Sequence, residues 1–138
     1  MDKIFEKYIT DDYKVKWEYV ETIPEFARLK ECKQNPKWHS EGTAWEHTQA
    51  CVSAAYTLLD NEYKALTDID KRVLLTSVLF HDIGKGETTE FIKGNWHSYG
   101  HEIIGERVAR RILWEEEFGL RERVCAMVRW HMELVRIA

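Results

Sequence analysis

The sequence predicts an all-α bundle of four principal helices, and three observations carry that prediction. Apolar residues recur at spacings of three and four through most of the chain after residue 43. Both prolines, Pro24 and Pro36, lie in the first 36 residues, and glycines mark the later breaks. Each of the four long periodic segments also carries one histidine on its apolar stripe.

The elements follow in order. The N-terminal stretch is the least periodic: Val15, Trp17 and Tyr19 alternate as in a strand, over too short a run to displace a helical reading. A short helix is predicted from Pro24 to Lys30, with proline in its first turn. From Thr43 to about Asp60, His47, Cys51, Ala54, Ala55 and Leu58 share one helical face. Thr43 with Glu46 three residues on fits a capping box at its start. The next helix runs from about Asp68 to Asp82, with Leu74, Ser77, Val78 and His81 on one stripe, and Gly84 is the expected stop. Gly86 to Asn95 reads as a loop or a hairpin turning at Gly94-Asn95. A third helix begins near Tyr99 or Gly100, carries His101, Ile104, Gly105, Val108 and Ile112, and ends before Gly119. The fourth starts at about Leu120, with Val124, Val128, His131 and Val135 aligned.

Composition narrows the function. Apolar residues make up 44% and charged residues 32% of 138, which excludes a disordered chain and gives enough apolar mass for a core. The longest nearly apolar run, Val73 to Phe80, is too short to cross a bilayer. The opening Met1-Asp2-Lys3 has no apolar signal region, so a cytoplasmic location is expected. A net charge of −4 argues against an extended nucleic-acid surface and leaves room for a small nucleotide. The three cysteines form no CxxC pair; Cys51 and Cys125 read as buried reduced thiols, not as a zinc-thiolate site. Glu115, Glu116 and Glu117 read as a solvated helix end.

A buried imidazole needs partners for its ring nitrogens, and one such histidine is readily served by a backbone group. Four on separate helices have a simpler account in a shared ion, since bundle metal sites are built from inward side chains of facing helices. Adjacent His81 and Asp82 project about 100° apart in mid-helix, so both reach one point only where the helix opens before Gly84. A carboxylate beside imidazoles suits Mn, Fe, Co, Ni or Mg. A helical bundle of satisfied core histidines remains the competing reading.

His47, then His81-Asp82-Ile83-Gly84-Lys85, then His101 and His131 follow the order His…His-Asp…His…His, which resembles the HD-domain phosphohydrolases over about residues 40 to 131. Ile23-Pro24-Glu25-Phe26, the stretch Gln34 to Gly42, Trp45-Glu46-His47-Thr48-Gln49 and Tyr99-Gly100-His101-Glu102 are similar to the HD domain of bacterial CCA-adding tRNA nucleotidyltransferases, without their nucleotidyltransferase head. The resemblance implies one HD domain over 1–138, with 1–38 a helical segment packed on the motif-bearing 39–138. It implies a phosphatase or cyclic phosphodiesterase acting through metal-activated water on a small phosphorylated substrate such as a nucleotide.

It further implies that His47, His81 and Asp82 hold one divalent ion and that His101 and His131 serve a second, bridged by Asp82. Lys85 is then placed to stabilise phosphoryl charge, although a cation at a helix C-terminus is also favoured without any such role. His39 is a candidate substrate contact or a ring packed on tryptophan. His97 reads as a loop residue, and Trp45 and Trp96 as packing. The family's late Asp has no counterpart, since no Asp follows Asp82. Glu133 is the nearest replacement, unless the ligand is absent or lies beyond a truncated end. A degenerate module that binds a nucleotide or partner without turnover is therefore the alternative expectation.

Overall fold

The periodic segments become helices, two of which start at threonine side-chain caps. In the computed structural model, which describes residues 4–34 and 42–137 (134–137 by backbone alone), α1 is Trp17–Val20 and α2 is Pro24–Ala27, followed by a 3-10 turn at Arg28–Glu31. The long helices are α3 (Ala44–Asp60), α4 (Asp68–Phe80), α6 (His101–Ile112) and α7 (Phe118–Ile137), with a short α5 (Lys85–Thr88) after α4. Thr43 and Glu46 form the expected capping box on α3, with Glu46 N donating to Thr43 Oγ1 at 3.2 Å and Thr43 N donating to Glu46 Oε1 at 3.4 Å. Thr67 caps α4 through the Asp70 amide at 3.1 Å. Gly100, at φ 76°, turns the chain into α6 in a conformation open chiefly to glycine.

Between α5 and α6 lies an antiparallel hairpin of β1 (Glu90–Ile92) and β2 (Asn95–His97). Lys93 and Gly94 both have positive φ, 51° and 81°, so the turn falls one residue earlier than Gly94-Asn95. Two such residues between paired strands match the right-handed twist of the hairpin.

α6 and α7 form an antiparallel pair, α7 lies along α4, and α4 lies against α3. The core centres on Phe80, whose ring meets Tyr8 at 5.6 Å and Phe26 at 4.9 Å, both edge-on. The N-terminal stretch thus supplies core residues, among them Phe5, Ile9, Val20 and Leu29, all buried. Arg72 fastens it. Its side chain is fully buried and donates to the carbonyls of Ile4, Ile9 and Thr10 and to Asp68 Oδ1.

The helical reading of the N-terminal stretch holds from Trp17, which begins α1, while Val15 forms only an isolated bridge to Ile9. Other expectations need correction. The buried face of α3 is Trp45, Thr48, Val52, Ala55 and Leu59, while Ala54 and Leu58 lie exposed on the rim of a cavity. The helix carries two apolar stripes, and the one packed on the N-terminal residues wins burial. Gly84 stops nothing by left-handed geometry, because its φ is −71° and ψ −14°. It is needed for close approach: a β-carbon there would overlap the His101 carbonyl and lie 2.6 Å from Gly105 N. The acidic run is also employed. Glu116 accepts from Phe5 N at 3.1 Å, and Glu117 accepts from Gly119 N and Leu120 N at the start of α7.

Candidate metal centre

α4 ends at Phe80, and the next residues turn through bonds from Ile83 N to Phe80 O and from Lys85 N to Asp82 O. This looser turn lets Asp82 point into the bundle while the His81 ring leans over it. The buried Asp82 carboxylate then becomes the hub. Its Oδ2 lies 3.1 Å from His81 Nε2, 3.5 Å from His47 Nε2 and 3.2 Å from Lys85 Nζ. Its Oδ1 lies 3.1 Å from His101 Nε2 and 3.3 Å from His131 Nε2. Four helices or helix ends thus deliver one imidazole each, and the two carboxylate oxygens divide them into pairs.

Three of these rings are held by one repeated device. Nδ1 of His81, His101 and His131 lies 2.5, 3.0 and 2.7 Å from the carbonyl of the residue three positions earlier, Val78, Ser98 and Val128. A carbonyl only accepts, so Nδ1 carries the proton in each ring, and a neutral ring aims the lone pair of Nε2 at Asp82. His101 and His131 also face each other, Nε2 to Nε2, at 3.2 Å. Lone pairs directed at an anion and at one another repel unless a proton or a cation stands between them. This donor set, imidazole nitrogens around a carboxylate, fits a divalent cation of the Mn, Fe, Co, Ni or Zn kind.

The electrostatics point the same way. Burial raises the Asp82 carboxyl, but the His81 charge and bonds from His101, His131 and His81 hold it well below the usual carboxylate range. Burial lowers the His81 imidazole, yet the Asp82 charge and the surrounding hydrogen bonds push it up to about 10. These shifts mark a site that strongly favours positive charge beside Asp82.

The other expected residues fall as follows. Lys85 is buried, and its ammonium donates to Gln34 Oε1 at 2.6 Å as well as facing Asp82. It is therefore not a solvated helix-end cation. His39 lies outside the described residues. Glu133 belongs to neither of the two groups of close ligand atoms, since positions 131 and 133 lie on nearly opposite sides of a helix. His97 stacks on Tyr99 in the hairpin at 4.9 Å, Trp96 packs on Phe91, and Trp45 packs on Trp17.

Two residues stand in the site in ways the sequence did not indicate: Gln34, and Cys51, which was expected as a buried thiol and is only half-buried. Gln34 reaches Lys85 across 51 positions, and nothing local marks it. Cys51 is half-buried, with Sγ 3.4 Å from His47 Nε2. Burial raises its thiol, but His47 and His81 outweigh that and bring it down to about 6. Its signal was present, since Cys51 lies four residues after His47 on one helical face. Cys125 is buried as expected.

A cavity of about 330 Å³ opens onto the centre, walled by Ala54, Leu58, Leu74, Val78 and Met127 and reaching His81 and His131. Among the described residues, no helix is long and apolar enough to cross a membrane.

The HD domain family matches residues 44–138. A bifunctional uridylyltransferase/uridylyl-removing enzyme of Cereibacter sphaeroides is 35% identical over 117 residues, covering 78% of this chain and 11% of that protein. A multifunctional CCA protein of Pasteurella multocida is 34% identical over 90 residues, covering 65% of this chain and 20% of that protein. A second uridylyltransferase/uridylyl-removing enzyme, from Ruegeria pomeroyi, is 29% identical over 117 residues, 12% of its length. The chain thus spans between a tenth and a quarter of the relatives it matches. The likeness to CCA proteins read from the motifs holds, and the uridylyl-removing enzymes are a second group the motifs did not indicate. No solved structure gives a significant match.

Proposed function

This chain belongs to the HD-domain family, and from that premise we propose that it is a metal-dependent phosphohydrolase cleaving a phosphomonoester or cyclic phosphodiester of a small molecule, a nucleotide in the first instance. The observation that carries the reading is the division of the Asp82 carboxylate: one oxygen meets His47 and His81, the other His101 and His131. His47, His81 and Asp82 hold one divalent ion on this reading, and His101 and His131 with Asp82 hold a second. Such an ion supplies a Lewis acid for the phosphoryl group and lowers the pKa of water toward roughly 7.

The residues of the chain do the remaining work. The Val78, Ser98 and Val128 carbonyls fix three rings with Nε2 inward, so the donors need little reorganisation. Lys85 uses two of its three N–H donors on Gln34 and Asp82, which fixes the carboxylate and leaves one donor for a phosphoryl oxygen. The adjoining cavity offers apolar walls to the rest of the substrate. Lys85, the lysine that faces Asp82 among the described residues, in a chain of net charge −4 suits a small phosphate ester better than a polynucleotide.

One observation favours a second reading, binding without turnover: Glu133, the nearest acidic residue to His131, lies outside both groups of close ligand atoms among the described residues. Phosphate release from a panel of monoesters and 2′,3′-cyclic nucleotides, with Mn, Co, Ni or Mg added, separates the two. The hydrolase requires metal-dependent release that His81→Ala and Asp82→Ala abolish while circular dichroism is unchanged. Metal-loaded protein that stays at background on the whole panel makes the binding module the correct reading.

A further inference from the structure

Cys51 gives half of the centre a different chemistry from the other half. The donor atoms of His47, Cys51 and His81 all lie within 4.8 Å of one another, as do those of Asp82, His101 and His131. We infer that Cys51 is a thiolate ligand which, with His47, His81 and Asp82 Oδ2, completes a four-donor site selective for zinc over magnesium. The inference rests on the reading that the centre holds a divalent ion, and it deepens that reading by assigning the ligand set and metal class of one arm.

The edges of the cluster support it. A tetrahedral zinc ion with bonds of about 2.0–2.1 Å to nitrogen or oxygen and about 2.3 Å to sulfur sets its donors roughly 3.3–3.4 Å apart, or about 3.6 Å where one is sulfur. Three edges come close to that, 3.4 Å from Cys51 Sγ to His47 Nε2, 3.5 Å from His47 Nε2 to Asp82 Oδ2 and 3.1 Å from His81 Nε2 to Asp82 Oδ2, while Cys51 Sγ lies within 4.8 Å of a His81 ring nitrogen. Helix α3 presents His47 and Cys51 one turn apart, so both reach a common point without distortion. The second arm, His101 and His131 with Asp82 Oδ1, carries no sulfur and suits harder ions.

Cobalt(II) reports a thiolate bond directly. The metal-free 138-residue chain titrated with cobalt chloride is expected to develop a near-ultraviolet sulfur-to-cobalt charge-transfer band and the strong visible bands of a tetrahedral ion. Zinc should bleach both, and magnesium in large excess should not. Cys51→Ser and Cys51→Ala should still take up cobalt through the histidines, without the charge-transfer band. Their zinc affinity should fall by more than about tenfold, because even outer-sphere partners are worth that much. Cys32→Ser and Cys125→Ser should keep the band. If wild-type protein binds cobalt at its histidines without a charge-transfer band, Cys51 is not a ligand, and the hydrolase reading is untouched. If no cobalt binds at all, both readings fall.

Discussion

Replacing Gly84 with alanine tests how tightly the turn bearing His81 and Asp82 is locked to α6. The added β-carbon would overlap the His101 carbonyl and lie 2.6 Å from Gly105 N and 2.9 Å from Gly105 Cα. Such atoms rest at about 3.3–3.5 Å, so the two backbones must separate by more than about 1 Å, the His101 carbonyl being the nearest obstacle. Neither obstacle can rotate away, because both belong to the main chain of a packed helix. Overpacking costs about 1–3 kcal/mol, and the rigid surroundings place this substitution near 3 kcal/mol. With an unfolding entropy of about 2.1 cal/mol/K per residue, that lowers the Tm by roughly 10 °C. Gly105→Ala is the internal control: its β-carbon would meet chiefly the Val128 side chain at 3.0 Å, which can yield, so about 1 kcal/mol is expected. The same displacement would carry His101 away from Asp82 Oδ1, now 3.1 Å distant, while the His47 side is spared. Calorimetry and metal stoichiometry on the variant should therefore show a large fall in Tm together with weakened binding of one ion. A Tm within about 2 °C of wild type would show that the Gly84–Gly105 crossing is not the constraint proposed.

Other outcomes follow from the same contacts. Arg72→Met keeps much of the buried volume but strips the donor from the carbonyls of Ile4, Ile9 and Thr10; about 3 kcal/mol should be lost, with faster proteolysis before residue 16. Thr43→Ala removes the α3 cap and should cost about 1 kcal/mol by urea denaturation, with no effect on the α6 and α7 amides in hydrogen exchange. Bonds from Arg110, and secondarily from Arg121, hold the Glu122 carboxyl down to about 2 from 4.5. A lowered folded-state value means the contribution is complete above about 4.5 and is lost as pH falls toward 2. Glu122→Gln should therefore lower the urea midpoint at pH 6 and converge on wild type near pH 2; a pH-independent difference would refute the pairing.

Much of the molecule was legible in the sequence, and the reason is local. The capping box at Thr43 and Glu46 and the threefold and fourfold spacing of α3, α4, α6 and α7 are written within single helices. The four inward histidines inherit that legibility, because each lies on its own helix's stripe. What failed to show is set by distant partners. The N-terminal stretch is ordered by Arg72 and Phe80, 50 residues or more away, so its own pattern says little. The buried stripe of α3 was misjudged because two apolar stripes compete, and only the packing of Trp45 on Trp17 decides between them. Gly84 was recognised as a break while its purpose was missed, since close approach to α6 leaves no mark near residue 84.

The guanidinium clasp around the first residues bears on where this protein can be cut. The family match begins at residue 44, yet Phe5, Tyr8, Ile9, Phe26 and Leu29 sit in the same hydrophobic interior as Phe80. A fragment trimmed to that boundary would bare an aromatic cleft and strand a cation inside it, and it should precipitate on expression.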